Sequence, residues 1–287
     1  MTAAPEPGKW SLGVSLTATS LHIEHIESED PGLVTPYWHV QRLLIGELSL
    51  SAARGVAPGF GIGLTVPLRQ VHDRIRFEDL ARNPYVPPQP DTHHRNETLL
   101  HVADPQLAAL FTRQPGAWTL GGSLGTSIPI GRTEPNPFEL GRRGLPHQHI
   151  QFGTGTWDPM VGLSASRSFG EIGFNASASA KLSLYENGHG YRAGNRYGVF
   201  LGTNRKLGSV WGANAGFTLD RESPERWSGR IEEEGNLGRT DLMLAAGIGR
   251  GVPGMGSFGI KLQVPLKTWS TGEQVKYPLV VALGWTH

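Results

Sequence analysis

Apolar and small polar residues alternate with a period of two along most of this chain, and no segment repeats convincingly at the period of an amphipathic helix. Trp10, Leu12, Val14, Leu16 and Ala18 point to one face, and Ser11, Gly13, Ser15 and Thr17 to the other. The same alternation runs from Phe60 to Leu68, Trp118 to Ile130, Ile172 to Leu184, Trp211 to Leu219 and Phe258 to Leu266. Weaker strand patterns lie near 38–53, 100–113, 149–169, 191–205, 239–250 and 276–287. Twelve antiparallel strands are therefore expected, an even number as a single-chain bacterial barrel requires. The connections alternate too. Short links fall around 54–58, 113–116, 169–171, 206–209 and 251–256. The others, near 26–36, 77–97, 132–148 and 221–238, are long and polar, with shorter ones near 186–190 and 268–275. Short periplasmic turns on one rim and long outer loops on the other are the pattern of a transmembrane β-barrel, with both termini on the periplasmic side.

A soluble sandwich or lipocalin would show an apolar inner face and a charged outer one. Here the polar face is mostly Gly, Ser, Thr and Asn, which suits a crowded, wet lumen. Only 38% of the 287 residues are hydrophobic, although there are 39 glycines and 8 tryptophans. No run reaches the ~18 apolar residues of a membrane helix, a length that barrel strands do not need. With no cysteine, disulfides, thiol catalysis and cysteine-ligated zinc are excluded. A net charge of +1 gives no nucleic-acid footprint. Residues 1–287 are expected to form one barrel domain in the bacterial outer membrane, its signal peptide absent from this chain. Trp10, Trp118, Trp157, Trp211 and Trp285 are expected in the interfacial girdles. No Ser, His and Asp arrangement marks a nucleophile, so no enzyme is expected.

Three short segments then resemble, in order, the outer-membrane channel family linked to meta-pathway phenol degradation. Ala103-Asp104-Pro105-Gln106-Leu107 is similar to its Gly-Asp-x-x-Leu, and Pro129-Ile130-Gly131 to its Pro-x-Gly. Phe152-Gly153-Thr154-Gly155-Thr156-Trp157-Asp158-Pro159 resembles its Gly-x-Gly-Ser-x-Asp stretch. The resemblance spans roughly 60–285, and the chain departs from it by ending Gly284-Trp285-Thr286-His287, without the usual C-terminal aromatic. It implies a channel for small, often hydrophobic solutes.

Three constellations bear on function. By strand parity Glu47, Arg69, Asp104, Asp158, Lys181, Arg196, Asp220, Asp241 and Lys261 turn inward, to pair across the lumen or line a conduction path. In the long loops Arg142 and Arg143 oppose Glu232, Glu233 and Glu234, as for a cap held by ion pairs; the bland reading is a solvated rim of mixed charge, where exposed pairs contribute ~0–1 kcal/mol. Ten of 11 histidines fall in the expected outer half, and His93, His94, His147 and His149 are the candidate ligands for copper or zinc. The expected partners are lipid and a small-molecule solute, and the oligomeric state is left open. Three functions follow: a passive channel, a metal-binding surface protein, or a closed barrel that docks a partner.

Overall fold

The computed structural model describes residues 4–27, 35–87, 96–271, 275–276 and 279–287. Its strands are β1 (Trp10–Glu27), β2 (Tyr37–Ala57), β3 (Phe60–Glu78), β4 (Glu97–Val102), β5 (Gln106–Arg113), β6 (Trp118–Ser127), β7 (Pro159–Phe169) and β8 (Ile172–Lys181). They continue as β9 (Tyr191–Arg192), β10 (Arg196–Leu207), β11 (Trp211–Glu222), β12 (Arg226–Trp227), β13 (Arg239–Val252), β14 (Gly256–Ser270), β15 (Val275–Lys276) and β16 (Val280–Thr286). β9 and β12 form a separate ladder in the long loops. β4 and β5 are halves of one strand broken at Ala103–Pro105, both pairing with β3, and β15 and β16 both pair with β1. The remainder is a closed, antiparallel, 12-stranded barrel, sealed because β1 pairs with β2 along its whole length and with β16 on its other edge.

Closure gives every strand of the barrel a neighbour on both sides across the belt, so among the described residues the backbone groups there are paired without help from water. Register puts like side chains in rows. Leu16 sits opposite Leu48, which sits opposite Leu68, all on the outer face. That face is an exposed apolar belt, with Leu50, Leu124, Leu163, Leu201 and Leu266 each more than half exposed. So large an uncovered apolar surface is stable only in hydrocarbon. Trp10, Trp118, Trp211 and Trp285 ring the short-turn end, where Arg54, Arg167 and Arg250 lie over the first three. Trp157 stands at the opposite end, its backbone N–H donating to Tyr185 Oη at 2.9 Å.

The twelve expected strands are all present, but four boundaries move. The strands expected at 118–130 and 172–184 stop at Ser127 and Lys181, and those expected at 149–169 and 191–205 start at Pro159 and Arg196. The apolar residues just past these ends leave the wall because residues 128–158 and 182–195 fold over and into the barrel mouth.

An arginine at mid-belt tests the lipid-facing assignment. Leu16→Arg is expected to cost about 2–4 kcal/mol in denaturant titration of the vesicle-inserted barrel. A loss under about 1 kcal/mol would place Leu16 away from the bilayer midplane.

Candidate functional site: the lumen and its plugs

The inner face is built from the small residues of the alternating pattern. It encloses a cavity of about 820 Å³ whose lining includes Ser11, Ala108, Ser123, Gly162, Ser179 and Gly198. Larger apolar side chains, among them Ile45, Leu110, Met160 and Met243, also reach it.

Both ends of this cavity are narrowed from inside. At the short-turn end Ala4 N–H donates to Thr112 Oγ1 at 2.9 Å, and Pro7 bridges to Gly55. The segment lies close against the inner wall because Gly55 and Gly61 are bare. A Cβ on Gly55 would run into the Glu6 carbonyl, and one on Gly61 would press on Pro5. At the other end residues 128–158 dip inward. Phe152 is buried against Leu43 and Val71 of β2 and β3, and its ring meets His101 edge-on at 4.8 Å.

The dip is anchored by two carboxylates. Asp104, at the break between β4 and β5, accepts hydrogen bonds from the Gly131 and Thr154 backbone N–H groups at 2.9 and 2.7 Å. Asp158 is 0% exposed. It accepts from Thr154 Oγ1 at 2.8 Å and Thr156 Oγ1 at 2.6 Å, and pairs with Lys181 Nζ at 3.2 Å. Thr154 Oγ1 also lies 2.9 Å from Asp104, so its one proton lies within reach of both carboxylates.

Beside that anchor a row of charge crosses four neighbouring strands: Lys181, Arg196, Glu222 and Arg239 are successive register partners. Arg196 donates to Glu222 at 2.9 Å, and Arg239 lies 3.8 Å from Glu222 and 3.0 Å from Asp241. Asp241 also accepts from Thr268 Oγ1 at 2.6 Å. Asp220 faces Asp241 in the next row, and Lys261 Nζ sits 5.4 Å from the Phe200 ring centroid. On the far wall Arg69 donates twice to Glu47, at 2.8 and 3.1 Å. All nine residues expected in the lumen thus sit on its wall or in the anchor. Glu222 and Arg239, which complete the row, were not among those expected; their parity at the strand ends was the available signal.

Of the five cap residues the structure brings together Arg142 and Glu232, at 3.7 Å. Arg143 is the C-cap of a short helix, α1 (Pro137–Arg142), while Glu233 and Glu234 lie in an exposed turn. The cap is held mainly by aromatic packing. Phe138 of α1, Tyr191 of β9 and Trp227 of β12 form a buried cluster, with Trp227 1% exposed. Asn136 at the N-cap followed by Pro137 was a sequence signal for this helix. Turn 186–192 joins the inward dip of residues 128–158 to the cap: Asn187 Nδ2 donates to the Thr154 carbonyl at 3.0 Å, and Glu186 accepts from Gly229 N–H at 2.6 Å.

His93 and His94 lie outside the described residues. His147 and His149 are neighbours, with ring centroids 5.1 Å apart. His147 Nδ1 meets the Leu145 carbonyl at 2.9 Å, and His149 packs edge-on against Phe138. Among the described residues no group of three or more His, Asp or Glu side chains is placed to hold a metal ion.

A closed membrane barrel with both mouths narrowed by its own chain is the class that this geometry defines. Solved structures share the barrel fold. An outer membrane channel from Pseudomonas putida F1 matches with a TM-score of 0.65 at 10% identity, covering 99% of this chain and 97% of its own. A mutant of the TodX monoaromatic hydrocarbon channel matches at 0.51 and 9% identity, covering 99% and 91%. No family model and no curated protein matches the sequence.

Two outcomes test this architecture. Asp158→Ala, which strips Lys181 of its buried partner, is expected to cost about 3–5 kcal/mol and to raise hydrogen exchange at Thr154 and Thr156. Unchanged exchange there would remove Asp158 as the anchor. In the cap, burial pushes the Glu225 carboxyl up, partly offset by the Trp227 indole N–H that it accepts at 3.1 Å. The folded cap therefore favours the neutral acid: its stability is greatest below the ordinary Glu range and falls as pH rises through the raised value. Protection of the Trp227 amide, corrected for the intrinsic pH dependence of exchange, should fall as pH rises above the ordinary Glu range. Glu225→Gln should flatten that dependence.

Proposed function

We propose that this chain is a single-domain channel of the bacterial outer membrane that passes small, largely apolar solutes. The observation that carries it is the lumen of about 820 Å³, lined by small and apolar side chains together with charged ones that largely pair with each other, and narrowed at both ends by the chain itself. An aqueous porin needs an open bore. Here the wall charges are largely paired with one another, as in Glu47–Arg69, Lys181–Asp158, Arg196–Glu222 and Arg239–Asp241. Paired charges leave little field to draw an ion through, so the lumen favours neutral solutes. The lumen set orders the wall and selects against charge, and the cap around Arg142, Arg143, Glu232, Glu233 and Glu234 admits solute from the outer side. The short segments that resemble motifs of the channel family linked to phenol degradation, and the monoaromatic hydrocarbon that names the TodX channel, support a small aromatic as the solute.

The test is paired. Refolded protein in planar bilayers should show small or no ion steps, while liposomes carrying it should take up labelled toluene faster than empty ones. Large stable conductance would replace this reading with a porin. Silence in both assays would leave a closed barrel that docks a partner.

A metal-binding reading has one observation in its favour, the adjacent rings of His147 and His149 at the mouth. Zinc or copper titration decides it, since a site there predicts saturable binding that His147→Ala with His149→Ala abolishes. Equal binding by the double variant would end it.

A further inference from the structure

The outer face of β2 and β3 does not stay apolar to its end. Beyond Leu44, the lipid-facing positions become Arg42 on β2 and Arg74 on β3, and the two are direct register partners. Both are exposed. Like charges directly opposite one another on adjacent strands repel, and the nearby carboxylates are committed elsewhere. Glu78 holds Arg76 at 2.8 Å and Arg82 at 3.1 Å, and Glu24 holds His22 at 3.4 Å and Arg82 at 3.3 Å. Asp73 and Glu97, on alternate positions, turn inward to the amides of Gln41 and Gln148. Among the described residues neither Arg42 nor Arg74 has a carboxylate partner.

Arg74 is nevertheless held in place. Its Nε–H donates to His72 Nε2 at 3.0 Å, which leaves the His72 Nδ1–H to donate to Thr98 Oγ1 at 2.7 Å. Arg42 and Arg74 line a recess of about 640 Å³ with Arg76, Asn96 and Thr98; Asp73 and Glu97 also border it, each bonded to its amide partner, so the three arginines outnumber the two carboxylates there.

Depth identifies what meets this recess. The row of His22, Arg42 and Arg74 lies twelve residues along the strands from the row of Trp10, Arg54 and Ile62 at the short-turn girdle. At about 3.3 Å per residue and a tilt of about 40°, that is about 30 Å along the membrane normal. The pair therefore sits one hydrocarbon thickness away, at the head groups of the leaflet on the long-loop side. We propose that Arg42 and Arg74 form a phosphate-binding site on the barrel's outer wall for the phosphorylated glycolipid of the outer leaflet. Guanidinium pairs bind phosphate through parallel charge-assisted hydrogen bonds, and an anion between them turns repulsion into attraction. The site rests on the outer-membrane reading, which sets which leaflet it faces.

The full chain, inserted in nanodiscs, is offered diphosphoryl lipid A or its dephosphorylated form, and retained lipid is read by native mass spectrometry. Wild-type protein should retain the diphosphoryl form, and Arg42→Gln with Arg74→Gln should bind it about tenfold or more weakly. Arg113→Gln, on the short-turn rim, should not change it. Inorganic phosphate in the millimolar range is the competing arm: if it displaces the lipid fully, the site is for free phosphate and the lipid assignment falls. Equal retention of both lipid forms, or by the double variant, overturns the site. Toluene uptake by the same preparations separates the two readings. A protein that takes up solute but ignores lipid phosphate loses only this site, whereas one that fails to insert into vesicles loses both.

Discussion

Everything in this molecule depends on β1 bonding to both neighbours. A strand edge in hydrocarbon has no water to satisfy it, and each unmet backbone group would cost several kcal/mol. Pairing β1 with β2 on one side and β16 on the other converts a sheet into a cylinder with no such edge. Once the cylinder is closed, alternation does the rest. One set of side chains must satisfy lipid, which explains the leucines, and the other must fit a confined interior, which explains the Gly, Ser and Ala that line it. The space left inside is a consequence of those small residues as much as of the strand number.

The interior is then filled selectively. Asp104 and Asp158 are the fixed points from which residues 128–158 hang, both within reach of the single Thr154 hydroxyl. Burying two carboxylates so near each other is tolerable only because backbone N–H groups, hydroxyls and Lys181 surround them. The anchor lies in the wall, while its load lies across the mouth. A change at the anchor is therefore felt by the plug, and through Asn187 by the cap.

The strand count was legible because period two survives wherever one face meets lipid, as in Trp10 to Ala18 or Phe258 to Leu266. Inward parity likewise located Lys181, Arg196 and Asp241, though not their partners, because pairing depends on register between strands far apart in the chain. The plugs were not legible. Phe152 and Thr154 belong to an irregular stretch whose backbone bonds go to Asp104 and Arg132, and no periodicity records such contacts. The 149–169 pattern was read as strand from its start for this reason. Opposite charge hinted at Arg142 and Glu232, but the aromatic packing of Phe138, Tyr191 and Trp227 outweighs that contact and joins residues from three separate loops.

The N-terminal residues Ala4 to Pro7 carry a consequence for how the molecule assembles. A segment bonded to the inside of a closed cylinder must either be in place when the cylinder shuts or enter later through a mouth. The segment touches β2 at Gly55 and β5 at Thr112, strands of the first half of the sequence. It can therefore settle on a half-built, still open sheet. The later arrival of β16 against β1 would then seal it in place, so the order of synthesis and the order of closure favour the same outcome.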